Sequence, residues 1–388
     1  MREYGSEHPA VLLPDGYFAS FEKYGYCTWL RSGREALLLV ARNLNLNLDL
    51  DLNLNVNLNV NIDLNLNVNH LEPETWNLKP ETGAKPVVLM PAYCCHSMVD
   101  PFKKAGWKVA YYRLNEDLTA DIEYLKRLLV EVQPKAVLTM NFYGSASTVD
   151  AVEAIKSCCP GCVCIEDFSH CTFSLASIYN PEVDYYVTSI RKSVGVCDGS
   201  VIISKDVLDE SCVEEGETEF MTSRRDSQKL KAEYTYSQQP EKKNIFFPEL
   251  RRQEGELDAF EGVHSISKTG KEMLGVLNGD LIAYARRCNM MHILELLGGK
   301  VESVPGIERC LDGAPFSLPI LVKNRDEVQQ KLTKRGVYAP VLWPICDEAR
   351  AVCPVSARMA DEMLSIPIDQ RYNYDDIEDI AKIILETI

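Results

Sequence analysis

Apolar and polar positions along the chain follow three successive patterns. The first lies within residues 29–42, which begin Trp-Leu-Arg-Ser-Gly-Arg-Glu-Ala and continue Leu-Leu-Leu-Val-Ala. Ser32 can cap a helix whose apolar body follows. The second runs from Asn43 to Asn69, where every odd position is Asn or Asp and every even position is Leu, Val or Ile. Strict alternation is the period of a strand. One continuous strand of that length would span roughly 90 Å at about 3.3 Å per residue, far more than a domain's strand. The segment must therefore fold back, stay disordered or pair between molecules. Three readings stand open: a repeat inserted in a loop and irrelevant to catalysis, a β-rich edge that self-assembles, and a coiled, solenoid-like stack.

The third pattern is regular. Lys85 to Met90, Trp107 to Leu114, Lys135 to Tyr143 and Cys162 to Asp167 read as strands. Between them, a helical stretch closes over Pro101 to Gly106, and Ala120 to Gln133 and Val149 to Cys158 read as helices. Tyr185 to Ser189 and Ser200 to Ser204 add two strands. Such alternation predicts an α/β fold with a large, mostly parallel sheet flanked by helices. Val213 to about Gln253 is polar and irregular, and reads as a connection or an active-site flap. Glu254 to Leu297 reads as helical. Ser317 to Val322, Asp326 to Arg335 and Asp375 to Thr387 suggest a small C-terminal α+β domain. The expected division is a large domain over 1–250 and a helical connection with the small domain over 251–388.

Ligands of such sheets bind beyond the carboxyl ends of the strands. Asp167 ends one strand, in Ile165-Glu166-Asp167-Phe168-Ser169-His170. Lys192, in Ser189-Ile190-Arg191-Lys192, follows by twenty-five positions, in a loop between two further strands. An acid and a lysine so placed are the pair that pyridoxal phosphate (PLP) chemistry needs. The lysine amine binds the cofactor's aldehyde, and the acid keeps the pyridine nitrogen protonated.

Charge and composition narrow the classes. The 388 residues carry a formal charge of -16, against the basic stripe of a nucleic-acid binder. No apolar run reaches the roughly 18 residues of a membrane span, and no secretory signal pattern opens the chain. Fourteen cysteines then read as reduced thiols in cytoplasm. Cys158, Cys159, Cys162 and Cys164 could be half a zinc site, but no second Cys/His pair stands nearby, and in a turn leading to an apolar strand cysteine serves as a small hydrophobe. No metal is expected.

Several segments, in order, carry a resemblance: Ser32-Gly33-Arg34-Glu35-Ala36-Leu37, Pro91-Ala92-Tyr93, Asn141-Phe142-Tyr143-Gly144, Ile165-Glu166-Asp167 with His170, Lys192 with Asp198-Gly199, Ser317 to Pro340, and Leu364-Ser365-Ile366-Pro367. Together they resemble the DegT-type (DegT/DnrJ/StrS) aminotransferases, fold-type-I PLP enzymes that act mostly on nucleotide-linked keto sugars. The resemblance spans nearly the whole chain except the Asn/Leu segment. It implies the PLP-transferase fold, PLP as cofactor and a homodimer with sites at its interface. By resemblance, Lys192 holds the cofactor and moves the proton, Asp167 pairs with the pyridinium and His170 hydrogen-bonds the ring's 3-oxygen. Gly33, Arg34 and Ser189 hold the phosphate, and Tyr93 or His96 stacks on the ring. The expected reaction passes an amine from an amino acid, glutamate first among donors, to a keto sugar for polysaccharide or amino-sugar synthesis.

Two departures stand out. Ile190-Arg191 precede the lysine where many relatives have Pro-Thr, and the usual Gly-x-Asn-x-Arg segment is not recognisable between Gly216 and Ser267. Relatives that dehydrate sugars carry histidine in place of the lysine, so Lys192 sets that reaction aside. Two rivals remain: a PLP lyase or decarboxylase acting on an amino acid, and a non-catalytic scaffold assembling through residues 43–69.

Overall fold

The structure is a computed structural model and describes residues 17–55, 85–259 and 262–388. Its centre is a seven-stranded sheet of β1 (Tyr26–Leu30), β2 (Val87–Pro91), β3 (Lys108–Tyr112), β4 (Ala136–Met140), β5 (Val163–Asp167), β6 (Tyr185–Ser189) and β7 (Ser200–Ser204). The strand order is β1-β7-β6-β5-β4-β2-β3. The pairs from β3 across to β6 are parallel, and β7 alone runs against its neighbours β6 and β1. All five residues of β4 and of β7 are buried. Strands covered on both faces have no solvated side, which is why they read as apolar runs rather than as alternation.

Helices connect and flank these strands: α1 (Gly33–Asn55), α2 (His96–Lys104), α3 (Ile122–Val132), α4 (Val149–Cys158) and the short α5 (Leu175–Ile178). α1 lies against β6 and β7, and α2 packs on α1. The Asp121 side chain caps α3 by accepting from the Tyr124 N–H. The sequence reading of Val149 to Cys158, Tyr185 to Ser189 and Ser200 to Ser204 coincides with the observed elements.

Two expectations are corrected. The alternating segment does not begin as a strand: α1 continues through its first half, to Asn55. A period of two places like residues four apart, and positions i and i+4 share a helix face, so the pattern is compatible with a helix already nucleated upstream. Leu44 is buried, and Asn43 donates from Nδ2 to Leu39 O at 3.1 Å and Asp209 O at 3.0 Å. Asn45 donates to Ala105 O at 2.9 Å. The first asparagines thus tie α1 to the loops beside it. The rest of the repeat, 56–69, lies outside the described residues.

The second correction concerns Val213 to Gln253. After β8 (Val213–Glu214), this stretch forms a helical hairpin of α6 (Glu219–Ser237) and α7 (Pro240–Ala259). The buried face of α6 is largely polar, with Arg224, Ser227, Gln228 and Lys231 beside Met221. A helix that buries polar groups against partners has no apolar stripe for a sequence to display. Arg224 donates to Cys197 O and Gln228 to Val196 O, so α6 clamps the loop between Lys192 and β7.

The chain continues through β9 (Val263–His264), α8 (Lys268–Gly275) and α9 (Gly279–Leu297). It closes with an antiparallel pair, β10 (Leu318–Leu321) and β11 (Met363–Ile366), accompanied by α10 (Arg325–Lys334), α11 (Asp347–Val352), α12 (Pro354–Glu362) and α13 (Tyr374–Leu385). A reciprocal box of Asn373 and Asp376 caps α13.

Candidate active site

Strands β1, β2, β4, β5 and β6 all run in one direction and end at one edge of the sheet. A cavity open to solvent, about 390 Å³ with its mouth included, lies there. Asp167 and Ser169 reach it from the end of β5, and Ser189, Arg191 and Lys192 from the end of β6. Ser32, Gly33 and Arg34 come from the start of α1, and Ser97 and Met98 from the first turn of α2. Leu257 of α7 closes one side.

Local rules explain why these groups meet. Ser32 caps α1: the Glu35 N–H donates to Ser32 Oγ at 3.3 Å, and Ser32 Oγ donates to Glu35 Oε2 at 3.0 Å. Buried Arg31 holds the same carboxylate through Nε and Nη2. At Gly33 a Cβ would lie 3.0 Å from Ser189 Cβ, so any larger residue would push α1 and the end of β6 apart by a few tenths of an ångström. The first turn of a helix carries amides without intrahelical partners and a positive dipole end, which suits an anion.

The acid and the lysine are fixed differently. Asp167 is buried, and its Oδ1 accepts from the Ser169 N–H at 2.8 Å. Ser169 Oγ accepts from the Ser189 N–H at 2.9 Å, which ties the end of β5 to the end of β6. Lys192 sits in a single turn, Ile190–Lys192, whose Ile190 N–H donates to Gly199 O. On its far side Ser193 O accepts from Arg286 Nη2 at 3.0 Å and from Gln370 Nε2 at 2.9 Å. The lysine is therefore presented by a turn braced from both ends.

Of the residues expected from sequence, Asp167, Lys192, Gly33, Arg34 and Ser189 line this one cavity. His170, Tyr93 and His96 do not. The His170 ring is stacked between Phe316, at 4.2 Å and 6°, and Trp343, at 5.3 Å and 14°. Its Nδ1 accepts from the Tyr143 N–H at 3.3 Å. Burial, and then the charge of Lys192, hold its imidazole well below the usual histidine range. Tyr93 packs in the same aromatic group, 4.9 Å from Trp343, and burial pushes its phenol up. His96 is exposed at the start of α2.

Glu166, one residue before Asp167, points to the other side of the sheet. It is wholly buried, accepts from Thr148 Oγ1 at 2.8 Å, and burial raises its carboxyl to about 8. Sequence reasoning missed Ser97, Met98, Ser169, Arg191 and Leu257 as wall residues. Ser169 lay inside the acid motif and Arg191 beside the lysine, so their signals were at hand. Nothing in the sequence marks Leu257. Among the described residues no three His, Cys, Asp or Glu side chains gather to hold a metal ion, and the cysteines at 158, 159, 162 and 164 are free thiols. No described helix is long and apolar enough to cross a membrane.

No family model and no curated protein matches the chain. Solved structures do. The chain is similar to Helicobacter pylori PseC, an aminotransferase involved in the biosynthesis of pseudoaminic acid, at 13% identity over 100% of this chain and 99% of that one, with a TM-score of 0.62. It is similar to the aminotransferase TlmJ from Streptoalloteichus hindustanus at 15% identity, over 99% and 98% of the two chains, TM-score 0.62. It is also similar to the E. coli GDP-4-keto-6-deoxy-D-mannose-3-dehydratase with bound hydrated PLP, at 13% identity over 95% and 89%, TM-score 0.59. At these identities the likeness is one of fold.

Proposed function

We propose that this chain is a PLP-dependent aminotransferase that moves an amino group from an amino acid to a keto sugar. The observation that carries the reading is the meeting of Asp167 and Lys192 in one cavity beside the capped N-terminus of α1. The donor set fits the cofactor. Arg34 Nε is buried without a hydrogen-bond partner among the described residues, and serine hydroxyls surround the helix start. These groups suit a phosphate dianion. The Asp167 carboxylate makes one internal hydrogen bond and leaves an oxygen for a protonated ring nitrogen.

PLP, when bound, withdraws electrons from the carbon next to the transferred nitrogen. The chain's own residues do the rest. Lys192 Nζ would hold the cofactor through its aldehyde and would serve as the base that moves a proton at the reacting carbon. Asp167 retains the proton on the ring nitrogen. Gly33, Arg34 and Ser189 anchor the phosphate. His170, neutral and stacked on Phe316 and Trp343, packs outside the cavity lining, near enough for the charge of Lys192 to lower its basicity.

The finer reading gives glutamate as donor, a nucleotide-linked keto sugar as acceptor, and a role in polysaccharide or amino-sugar synthesis. PseC and TlmJ, both aminotransferases, support the reaction class. The dehydratase likeness makes Lys192 the discriminating residue. The reading carries with it a cytoplasmic homodimer. The test is an absorbance spectrum of the protein with PLP, before and after excess glutamate, beside Lys192→Ala. A visible band that requires Lys192 and shifts with glutamate is expected. No band would overturn the enzyme reading, and a band indifferent to glutamate would point to another donor or to a lyase.

A further inference from the structure

α7 turns two acids one helical turn apart, Glu254 and Asp258, toward the cavity rim, and each holds an arginine that lines the cavity. Arg34 Nη1 meets Asp258 Oδ1 at 2.6 Å. Arg191 Nη1 meets both oxygens of Glu254, at 2.8 and 3.1 Å. The two pairs differ in setting. The Asp258 side chain is 60% exposed, so water screens it. Glu254 is more enclosed and also takes Nη2 of fully buried Arg224 at 2.5 Å. Burial pulls its carboxyl up, but the charges of Arg191 and Arg224 outweigh burial and hold it below the usual range. Glu254 is thus a full negative charge at neutral pH. With Arg191 and Arg224 it leaves one net positive charge on the wall next to Lys192.

We propose that Arg191 is a second cationic anchor for the phosphate group of the ligand in this cavity, and that Glu254 is its built-in counter-charge. The inference rests on reading the cavity as a PLP site. A guanidinium presents several donors in a fixed plane and matches phosphate geometry better than an ammonium does. It stands on the rim shared with Arg34 and the start of α1, so it adds charge where the helix N-terminus already favours an anion. The carboxylate on the same guanidinium competes for its donors and repels an incoming dianion. The two substitutions therefore have opposite signs, which a purely structural ion pair would not produce.

Binding of inorganic phosphate, of PLP and of pyridoxal, which lacks the phosphate, should be measured by calorimetry on the full chain. Arg191→Met is expected to weaken phosphate and PLP about tenfold or more while leaving pyridoxal unchanged. Arg191→Lys keeps the charge and the stem, and is expected to fall between. Glu254→Gln is expected to tighten phosphate roughly threefold or more. Equal phosphate affinity in the parent and Arg191→Met, or no phosphate binding by the parent, would overturn the anchor. Weaker phosphate binding in Glu254→Gln would overturn the counter-charge and make Glu254 a support for Arg191. If PLP does not bind while phosphate follows the expected signs, the cofactor reading fails and the anchor stands.

Discussion

Two chambers meet at the carboxyl edge of the sheet, and one short loop serves both. Asp167 opens into a polar cavity of serine hydroxyls and charged groups, whereas His170, three residues later, is stacked between Phe316 and Trp343. In the cavity, Arg34 and Arg191 each meet a carboxylate of α7. In the aromatic stack no counter-charge is used, and His170 is neutral because burial and the nearby lysine disfavour its charged form. The polar chamber can bind and move charge. The aromatic one supplies packing, and it joins the sheet to segments more than a hundred residues further along the chain.

Breaking the polar chamber has the largest expected effect. Lys192→Ala should abolish the visible PLP band and lower amine transfer by roughly a thousandfold or more, with little change in the unfolding midpoint. A retained band would remove Lys192 from the chemistry. Breaking the aromatic chamber should do the reverse and strike stability first. Trp343→Ala, at a side chain 5% exposed, is expected to cost about 3–5 kcal/mol in urea unfolding. A cost below about 1 kcal/mol would mean that the stack is not close-packed.

Gly33→Ala tests the narrow point where α1 meets β6. The new Cβ would sit 3.0 Å from Ser189 Cβ, so one element must give by a few tenths of an ångström. About 1–3 kcal/mol of destabilisation is expected, with weaker phosphate binding in calorimetry. Unchanged stability and affinity would show that the close approach is dispensable.

The smallest effects are slopes of stability against pH, and they set the His170 stack against the buried Glu166 behind the cavity by sign. Glu166 has a carboxyl raised from 4.5 to about 8, so the folded protein keeps a proton that the unfolded chain has lost. Its contribution is present below pH 4.5 and disappears as pH rises toward 8. His170 is lowered below 6.5, so its contribution is present above that pH and is lost as pH falls through it. Glu166→Gln should flatten the decline between about pH 4.5 and 8, and His170→Gln should flatten the decline below 6.5. Denaturant midpoints across this range measure both. Unchanged slopes in either variant would assign the titration elsewhere.

The legible parts of the sequence were those where local pattern and tertiary demand agree. The strands at Tyr185–Ser189 and Ser200–Ser204 and the helix Val149–Cys158 were readable because buried strands need apolar runs and flanking helices need a stripe. The α6–α7 hairpin was not, because its buried face carries Arg224 and Gln228, which donate to Cys197 O and Val196 O in a distant loop, and Gln253, which donates across the hairpin to Ser223 Oγ. The Asn/Leu segment misled in the opposite way. Its period matches a strand, yet α1 runs through its first half once the Ser32 cap and the buried residues upstream have begun the helix.

For the site, the sequence by itself determined the order of the elements and the ends at which chemistry could stand: Asp167 closing one strand, Lys192 following another, Gly33 opening a helix. Such positions follow from periodicity, capping and turn chemistry, which act over a few residues. Only the tertiary structure decided where each side chain points. It turned Asp167 into the cavity and His170 into an aromatic wall, brought Leu257 and Glu254 across from α7, and set Arg191 on the rim. Those outcomes depend on which distant surfaces close over the loop, and burial and charge pairing arise only when they do.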